Sequence, residues 1–264
     1  MNQIINGLSV NTFGNPEKQH VVFVHGFPYD HTMWENQIKF LEKDYYCVAY
    51  DVRGLGKSFV GDGQYTLEFF VDDLLTVISV LKLTKPVLCG LSMGGYIALR
   101  AIERHQDLFK ALILMDTRPE ADDNAGKLKR AAAINQINVE GLKKFADAFV
   151  TNCFSDEAPE NQKETFLSTL SKSYKHDPIG VKGCIIAILS RTDTTASLHN
   201  IKIPVLVICG SFDKLTPPPV MRAMAEKIPG AEFAVVPGAG HMSPLENPEN
   251  VNDLIGGFFK RKLG

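Results

Sequence analysis

The sequence predicts an α/β fold in which a mainly parallel sheet is covered by helices on both faces. Short continuous apolar runs, such as Pro86–Leu91 and Ala111–Met115, alternate along the chain with longer segments whose apolar residues recur at helical spacing. Strands that are apolar on both sides belong to mainly parallel sheets buried between two layers of helices. The length of 264 residues allows one large domain or two small ones.

Five strands and three helices are predicted before residue 117. The strands are Ile4–Val10, which is weak, Val21–Val24, Tyr45–Tyr50, Pro86–Leu91 and Ala111–Met115. The helices are His31–Lys43, Leu67–Leu81 and Met93–Arg104. Thr66 is placed to cap the second helix, whose apolar residues follow the i, i+3, i+4, i+7 pattern closely.

The alternation is interrupted once and then resumes. Strands are predicted at Val205–Cys209 and Glu232–Val236, with a helix at Pro219–Ile228 between them and a last helix that has Asn247 as its N-cap. From Arg118 to Leu198 the sequence contains helical segments and no convincing strand. This excursion is long for a loop and short for an independent core. We therefore predict a core of residues 1–117 and 199–264, with a helical cap of residues 118–198 inserted between two strands.

Composition and charge are those of an ordinary globular protein. The chain is 45% hydrophobic and 22% charged, so it can bury a large core without disulfides or metals. Its formal charge of -2 offers no basic surface for nucleic acid or an anionic membrane, and neither partner is expected. No signal peptide or membrane span is recognised, so a reducing cytoplasm is the expected compartment.

The five cysteines form no C-x-x-C pair, so neither a disulfide framework nor a metal site is indicated. Cys47, Cys89 and Cys209 lie inside predicted strands and are expected to be buried. Cys153 and Cys184 lie in the middle region, where we expect them to be exposed or to line a pocket.

A candidate nucleophile lies where a buried strand turns directly into a helix. Gly90–Gly94 matches G-x-S-x-G with Ser92 at its centre, and this context gives the short motif its weight. A sharp turn of this kind strains the serine backbone and leaves little room for side chains at Gly90 and Gly94. The amide of Met93 then lies at a helix N-terminus, where partial positive charge stabilises developing negative charge.

His241 is the candidate base. It lies in a loop between the last strand and the last helix, at the same carboxyl edge of the sheet as Ser92. The pKa of histidine suits proton transfer near neutral pH. Of the other histidines, we expect His25 to hydrogen-bond a neighbouring loop. Most of the remaining five are expected to be solvated; they are His20, His31, His105, His176 and His199.

Two aspartates compete for the role of orienting His241. Asp213 follows the Val205–Cys209 strand, and Asp116 follows Ala111–Met115. We favour Asp213 because glycine and Thr-Pro flank it and form the turn that an orienting acid needs. Asp116 would then cap the first helix of the middle region or pair with Arg118.

The loop after Val21–Val24 is a candidate oxyanion hole. Acyl transfer needs two donors aimed at the developing oxyanion, and the amides of Phe27 and Met93 are the expected pair. Gly26 allows the backbone to approach a substrate closely. A plain turn is the alternative interpretation of this loop.

These motifs, taken in chain order, resemble those of the α/β-hydrolase superfamily over essentially the whole chain. They are His25–Pro28, Asp51–Ser58, Gly90–Gly95, the turn at Asp213, and Gly240–His241. Within the superfamily the chain looks like small bacterial carboxylesterases and enol-lactonases of the 3-oxoadipate type. The Asp51–Ser58 loop is similar to one in those proteins, and we interpret Asp51 and Arg53 as stabilising the turn beneath the site.

The leading hypothesis is a serine hydrolase that cleaves a small carboxylic ester or lactone through an acyl-enzyme at Ser92. The resemblance leaves open a C–C bond hydrolase or a cofactor-free perhydrolase with the same triad, and a non-enzymatic sensor of a small ligand on the same fold. Relatives with an aspartate nucleophile are disfavoured because serine occupies that place. No metal or organic cofactor is expected, since the histidines are not clustered at ligand spacing.

The cap is expected to determine which substrate fits above Ser92. Arg118 would hold a substrate carboxylate, as a lactonase of dicarboxylic type needs, or else form an ordinary surface salt bridge. Apolar residues of the cap either line the substrate pocket or pack the cap together. They are Leu142, Phe145, Phe149, Ile185 and Leu189.

Overall fold

The computed structural model describes residues 1–263 and contains an eight-stranded sheet with helices against both faces. The strands are β1 (Asn2–Ile5), β2 (Leu8–Phe13), β3 (His20–Val24), β4 (Tyr46–Tyr50), β5 (Val87–Leu91), β6 (Ala111–Met115), β7 (Val205–Gly210) and β8 (Glu232–Val236). Their order across the sheet is β1-β2-β4-β3-β5-β6-β7-β8. The pairs β1–β2 and β2–β4 are antiparallel and all other neighbours are parallel, which confirms the predicted class.

The helices of the structure are α1 (Glu35–Leu41), α2 (Leu67–Val80), α3 (Met93–His105), α4 (Asn124–Glu140), α5 (Leu142–Cys153), α6 (Ala158–Asn161), α7 (Lys163–Ser173), α8 (Pro178–Leu189), α9 (Pro218–Ala225), α10 (Ser243–Glu246) and α11 (Pro248–Lys262). Outside residues 118–198, the predicted helices agree with these to within a few residues. The Thr66 hydroxyl and the Asn247 amide oxygen cap α2 and α11 as predicted. Within residues 1–263, no helix is long and apolar enough to cross a membrane.

Alternate residues of the parallel strands enter two separate cores, one on each face of the sheet. Val22 and Val24 of β3 pack in the core beneath α2 and α3, whereas Val21 and Phe23 pack in the core beneath α1 and α11. This alternation follows from the strand geometry, in which successive side chains point to opposite faces. Every residue of β5 and β6 is buried, so the carboxyl ends of these two strands are held firmly at the centre of the sheet.

The predicted strand Ile4–Val10 is wrong, because the chain reverses in its middle. Asn6 and Gly7 form the turn between β1 and β2, with φ angles of 47° and 80°. Asn-Gly is favoured in two-residue hairpin turns because both central residues need positive φ. The sequence therefore contained the signal for a hairpin rather than for one strand.

Residues 118–198, here called the insertion, contain α4–α8 and no strand. Polar contacts tie the insertion to the loops at the carboxyl edge of the sheet. The hydroxyl of Ser173 donates to the Pro28 carbonyl (3.2 Å), and the ring of His176 bridges the same carbonyl (3.0 Å) and the Gly56 amide (3.1 Å). His176 is buried, so its predicted solvation is wrong.

All five cysteines are free and buried. The prediction that Cys153 and Cys184 are exposed or line a pocket is therefore wrong as to exposure, and neither lines the cavity described below. Cys153 ends α5 among apolar side chains, and Cys184 packs within the core shared by α8 and the sheet. Burial raises the pKa of both thiols well above its usual value, so both stay protonated at neutral pH.

Candidate active site

Ser92 lies at the sharp turn between β5 and α3. Its φ of 53° and ψ of -114° are strained for a residue with a side chain, and such strain persists only where the surroundings hold it. The Ser92 amide donates to the Met115 carbonyl (3.0 Å), and its carbonyl accepts from the Thr117 hydroxyl (2.8 Å). Gly94 is required because a Cβ there would lie 2.1 Å from the Val24 carbonyl oxygen. The turn thus places the Ser92 side chain beyond the carboxyl end of β5.

His241 joins Ser92 to Asp213. Its Nε2 lies 2.8 Å from the Ser92 Oγ, and its Nδ1 lies 2.8 Å from the Asp213 Oδ2. The carboxylate can only accept in the latter contact, so Nδ1 carries the proton and Nε2 is free to accept from the serine hydroxyl. Both His241 and Asp213 are buried, which removes competing water from this chain of hydrogen bonds.

Asp213 is held in its ionised form. Its Oδ1 accepts from the amides of Leu215 (2.8 Å) and Thr216 (3.0 Å), and its Oδ2 accepts from the Thr216 hydroxyl (2.5 Å). Burial raises the pKa of this carboxyl, but the charge and hydrogen bond of His241 and the donors of Thr216 outweigh it and hold the pKa well below its usual value. The predicted turn around Asp213 supplies these donors.

Asp116 does neither of the things expected of it. The first helix of the insertion is capped by Asp123, which accepts from the Gly126 amide, and Arg118 donates to the Leu215 carbonyl. Asp116 instead points into the protein, where no solvent reaches it, and accepts from the Gly210 amide (2.8 Å) and the Ser243 hydroxyl (2.5 Å). Its place after β6 puts it beside Asp213 because β6 and β7 are neighbouring strands.

The loop after β3 runs against Ser92. A Cβ added to Gly26 would lie 3.3 Å from the Ser92 Cβ, so the absence of a side chain permits this approach. Within the described chain, the amides of Phe27 and Met93 donate to no protein acceptor. His25 holds the loop from behind, since its Nε2 accepts from the Val52 amide (2.8 Å), as predicted. Two backbone donors without a protein acceptor therefore belong to the loops that meet at Ser92.

A cavity of about 160 Å³ opens above Ser92 and His241. Of the predicted pocket residues, Arg118 and Phe149 line it, whereas Leu142, Phe145, Ile185 and Leu189 do not. Phe145 stacks behind Phe149, with ring centroids 5.5 Å apart, and α8 contributes Ile188 instead of its neighbours. Because α8 is apolar on nearly every side, its sequence did not indicate which residue faces the cavity.

A family model described as the alpha/beta hydrolase fold matches residues 19–248. The chain belongs to this family. The match includes β3 to β8 and the whole insertion between β6 and β7. The order of the sheet and the place of Ser92 after β5 agree with this assignment.

This α/β-hydrolase is similar to several characterised proteins. It is 29% identical to 3-oxoadipate enol-lactonase 1 of Acinetobacter baylyi over 96% of this chain and 93% of that protein. It is 30% identical to the non-heme chloroperoxidase CPO-A1 of Kitasatospora aureofaciens, over 89% of this chain and 90% of that one. The structure of a thermophilic esterase from Thermogutta terrifontis with malate bound superposes with a TM-score of 0.94, at 32% identity, covering 99% of this chain and 98% of that one.

Three arginines surround the cavity of the α/β-hydrolase with a single carboxylate between them. Arg191 is fully engaged: it donates to the Glu120 carbonyl and to Asp122 (2.9 Å), and it stacks on Tyr96, with its Cζ 4.3 Å from the ring centroid. Arg130 donates to Asp122 through Nε (3.1 Å). Although burial raises the pKa of Asp122, the two guanidinium groups lower it below its usual value. The cavity wall therefore carries more positive than negative charge.

Sequence reasoning missed Asp122, Arg130 and Arg191. Arg191 lies 61 residues beyond Arg130, and both lie in polar stretches that resemble solvated surface. Their convergence depends on how α4 and the end of α8 pack together. Asp122 gave no signal in the sequence either, because an acid just before a helix is common at a helix N-terminus and does not indicate an ion pair.

Beneath the site, Asp51 stabilises its loop as predicted. It accepts from the amides of His31 (2.9 Å) and Lys57 (2.8 Å) and from the His31 ring (2.6 Å). His31 is thus an ion-pair partner and the prediction of solvation is wrong. Arg53 does not contact Asp51; it forms a bidentate pair with Asp73 of α2 at 2.9 and 2.7 Å.

Two clusters have the donor types of a metal site. One is Asp30, His31 and Asp51, and the other is Asp116, Asp213 and His241. In both, the carboxylate oxygens already accept hydrogen bonds from amides or hydroxyls of the protein. We therefore assign neither cluster to a metal and interpret the second as part of the acid–base site.

Proposed function

We propose that this α/β-hydrolase cleaves a small carboxylic ester or lactone through an acyl-enzyme at Ser92. The observation that carries the proposal is the continuous chain Ser92–His241–Asp213, with both contacts of the imidazole at 2.8 Å. Nucleophile, base and orienting acid in this arrangement are the requirements for serine acyl transfer. The free amides of Phe27 and Met93 beside Ser92 supply the two donors that the oxyanion needs.

The first half of the proposed reaction makes the acyl-enzyme. His241 Nε2 takes the proton of Ser92 as Oγ attacks the carbonyl carbon, and the carbonyl oxygen becomes an oxyanion held by the two amides. Asp213 stabilises the imidazolium through Nδ1–H without taking its proton. The tetrahedral intermediate then expels the alcohol oxygen, which receives the proton from His241. In a lactone this alcohol remains tethered to the acyl group.

The second half releases the acid. Water enters beside His241, gives up a proton to Nε2 and attacks the acyl carbon, again with the oxyanion held by the amides of Phe27 and Met93. Collapse of the intermediate breaks the bond to Ser92 Oγ, which recovers its proton from His241. The products are a carboxylic acid and the free enzyme, and no cofactor enters the balance.

We also infer that the insertion is the cap that selects the substrate over the core of residues 1–117 and 199–264. The cavity that Ser92 lines has a wall contributed by the insertion, which includes Phe149, Ile188, Arg130 and Arg191. The apolar members accommodate the body of a small ester, and the volume of about 160 Å³ suits a small acyl group.

The charge of this wall supports a preference for acidic substrates. Arg118 donates one hydrogen bond to the Leu215 carbonyl, and the other N–H donors of its guanidinium group remain available to a carboxylate. The related enol-lactonase of Acinetobacter baylyi and the Thermogutta terrifontis esterase with malate bound support the same idea, since malate is a dicarboxylate. We propose that the preferred ester or lactone carries a second, free carboxylate.

The chloroperoxidase CPO-A1 similarity favours one alternative, in which peroxide rather than water attacks the acyl group. The two functions share the acyl-enzyme at Ser92 and differ in the acceptor. Ester hydrolysis in the absence of peroxide, at a rate that does not increase when peroxide is added, supports the hydrolase. A peracid product formed faster than the free acid would replace our proposal by the perhydrolase.

The test of the proposal is a panel of 4-nitrophenyl esters and lactones with the Ser92→Ala variant as control. We expect Ser92→Ala to lose about four to six orders of magnitude in turnover. An active-site phosphonate should label the intact protein once, at Ser92, as read by mass spectrometry. Unchanged turnover in the variant would refute the nucleophile assignment, and a protein that neither turns over esters nor forms the adduct would be a ligand sensor instead.

A further inference from the structure

A second carboxyl group lies beside the proposed triad and the mechanism above does not use it. Asp116 is wholly buried directly after β6, with a φ of 46° in the left-handed region that aspartate adopts more readily than most residues. Its carboxyl oxygen, a carboxyl oxygen of Asp213 and a ring nitrogen of His241 all lie within 4.8 Å of one another. A buried acid next to two proposed catalytic groups calls for a physical explanation.

The segment Met115–Thr117 contacts the loops of all three proposed catalytic residues. Met115 and Thr117 hold the backbone of Ser92 through the two hydrogen bonds described above. Asp116, between them, accepts from Gly210, three residues before Asp213, and from Ser243, two residues after His241. One strand end therefore anchors the nucleophile, the acid and the base at once.

We propose that Asp116 is a positioning residue that works as a neutral carboxylic acid, with its proton shared with Asp213. This inference rests on the proposed function, because it concerns the same triad. The charged or titratable groups that face Asp116 are Asp213 and His241 from the loops, and the Cys209 thiol on β7. His241 is the only one of these that can become cationic, and it already pairs with Asp213.

Two adjacent carboxylates cannot both ionise in a buried site that offers only one positive partner. Burial first, and the negative charge of Asp213 second, raise the pKa of Asp116 well above its usual value, whereas the pKa of Asp213 lies well below. A proton on Asp116 removes their repulsion. It also places one more potential hydrogen-bond donor beside Asp213, and the single negative charge of the pair then lies mainly on the carboxylate that faces His241.

The consequence concerns the basicity of His241. A neutral donor at Asp116 withdraws some charge from Asp213 and moderates the stabilisation of the imidazolium. Removing the donor should strengthen the pairing of the His241 imidazolium with Asp213 and move the rising limb of the pH–rate profile to higher pH. If Asp116 were instead ionised, neutralising it would remove a negative charge near the His241 imidazolium and move that limb to lower pH.

The experiment compares Asp116→Asn with Asp116→Leu, which have similar shape and differ in polarity. Asn supplies an N–H donor and an acceptor, so we expect kcat/KM within about threefold of the original and an unchanged pH limb. Leu supplies neither, so we expect kcat to fall at least tenfold, with little change in KM and with the limb moved to higher pH. Asp107→Asn, at an exposed position, is the matched control.

Infrared difference spectroscopy tests the protonation without using activity. The spectrum of the original protein minus that of Asp116→Asn, taken at neutral pH, should contain the carbonyl stretch of a protonated carboxylic acid. Absence of this band, or a shift of the Asp116→Asn profile to lower pH, would overturn the proposal even if Asp116→Leu fails to fold. Loss of the proposed function would appear separately, as ester turnover that is insensitive to Ser92→Ala.

Discussion

The backbone amide of His241 donates to the carbonyl of Cys153, 2.8 Å away, so the proposed base is anchored on the insertion as well as on the sheet. The Glu246 carboxylate strengthens this link. It accepts from the Gly240 amide, next to His241, and from the Ser155 amide, both at 2.9 Å. Movement of the insertion relative to the sheet is therefore coupled to the position of the His241 ring.

This link predicts that Glu246 is needed for turnover although it lies outside the cavity. Glu246→Gln keeps one acceptor and turns an N–H toward the other backbone amide, so one buried donor loses its partner. We expect kcat to fall about tenfold and the free energy of unfolding by about 2 kcal/mol, measured by urea titration. Glu249→Gln, on the exposed side of α11, is the control. Equal turnover in both variants would show that the anchor does not position His241.

Asp213→Asn should be far more damaging than Asp116→Asn. The amide at position 213 can donate as well as accept, so His241 can adopt the tautomer in which Nε2 carries the proton and cannot accept from Ser92. We expect kcat to fall by about 10³ to 10⁴. Steady-state kinetics on one ester, with circular dichroism to confirm folding, compares the two variants. A greater loss from Asp116→Asn would reverse our assignment of the orienting acid.

The excess positive charge of the cavity predicts substrate discrimination through Arg118. A 4-nitrophenyl half-ester of a short dicarboxylic acid and a neutral 4-nitrophenyl ester of equal length form a matched pair of substrates. Arg118→Gln should lower kcat/KM about tenfold or more for the acidic ester and leave the neutral one nearly unchanged. Arg261→Gln, at a more exposed surface pair, controls for net charge. An original protein that prefers the neutral ester would contradict the acidic-substrate proposal.

The His31–Asp51 pair predicts a defined pH dependence of stability. Burial raises the pKa of Asp51, but the contact with His31 outweighs it and lowers this pKa to about 2. Burial lowers the pKa of His31, but the contact with Asp51 outweighs it and raises this pKa above 6.5. The stability that ionised Asp51 contributes to the folded protein is thus complete above about pH 3.8 and is lost as pH falls toward 2. The stability that protonated His31 contributes is complete below pH 6.5 and is lost as pH rises through the raised pKa of His31.

His31→Asn isolates this pair because it keeps a neutral donor near the same place. The loss in free energy of unfolding caused by the substitution should be larger at about pH 5.5 than at about pH 9, measured by urea titration. The exposed His199→Asn serves as the reference variant. A loss that is the same at both pH values would mean that the ring is not charged in the folded protein.

Local patterns determined the sheet, most helix bounds and the motifs of the site. The five residues of β6 were predicted without error, because a buried strand is apolar throughout and bounded by polar residues. The positions of Ser92, Asp213 and His241 followed from one rule: the loops that leave the carboxyl ends of parallel strands share an edge. Even the missed hairpin at Asn6 and Gly7 was encoded locally, by a turn dipeptide that was overlooked.

The tertiary structure decided which of the nearby side chains actually meet. Asp213 contacts His241, whereas Asp116 turns toward Gly210 and Ser243. Both acids follow neighbouring strands, and the sequence favoured Asp213 only through the glycine and Thr-Pro that flank it. The tertiary structure also selected Ile188 from an apolar helix and gathered Arg118, Arg130 and Arg191 at one cavity. The physical reason is that sequence periodicity reports the conformation of the local backbone, whereas side-chain contacts between distant segments depend on how helices and strands pack around a common core.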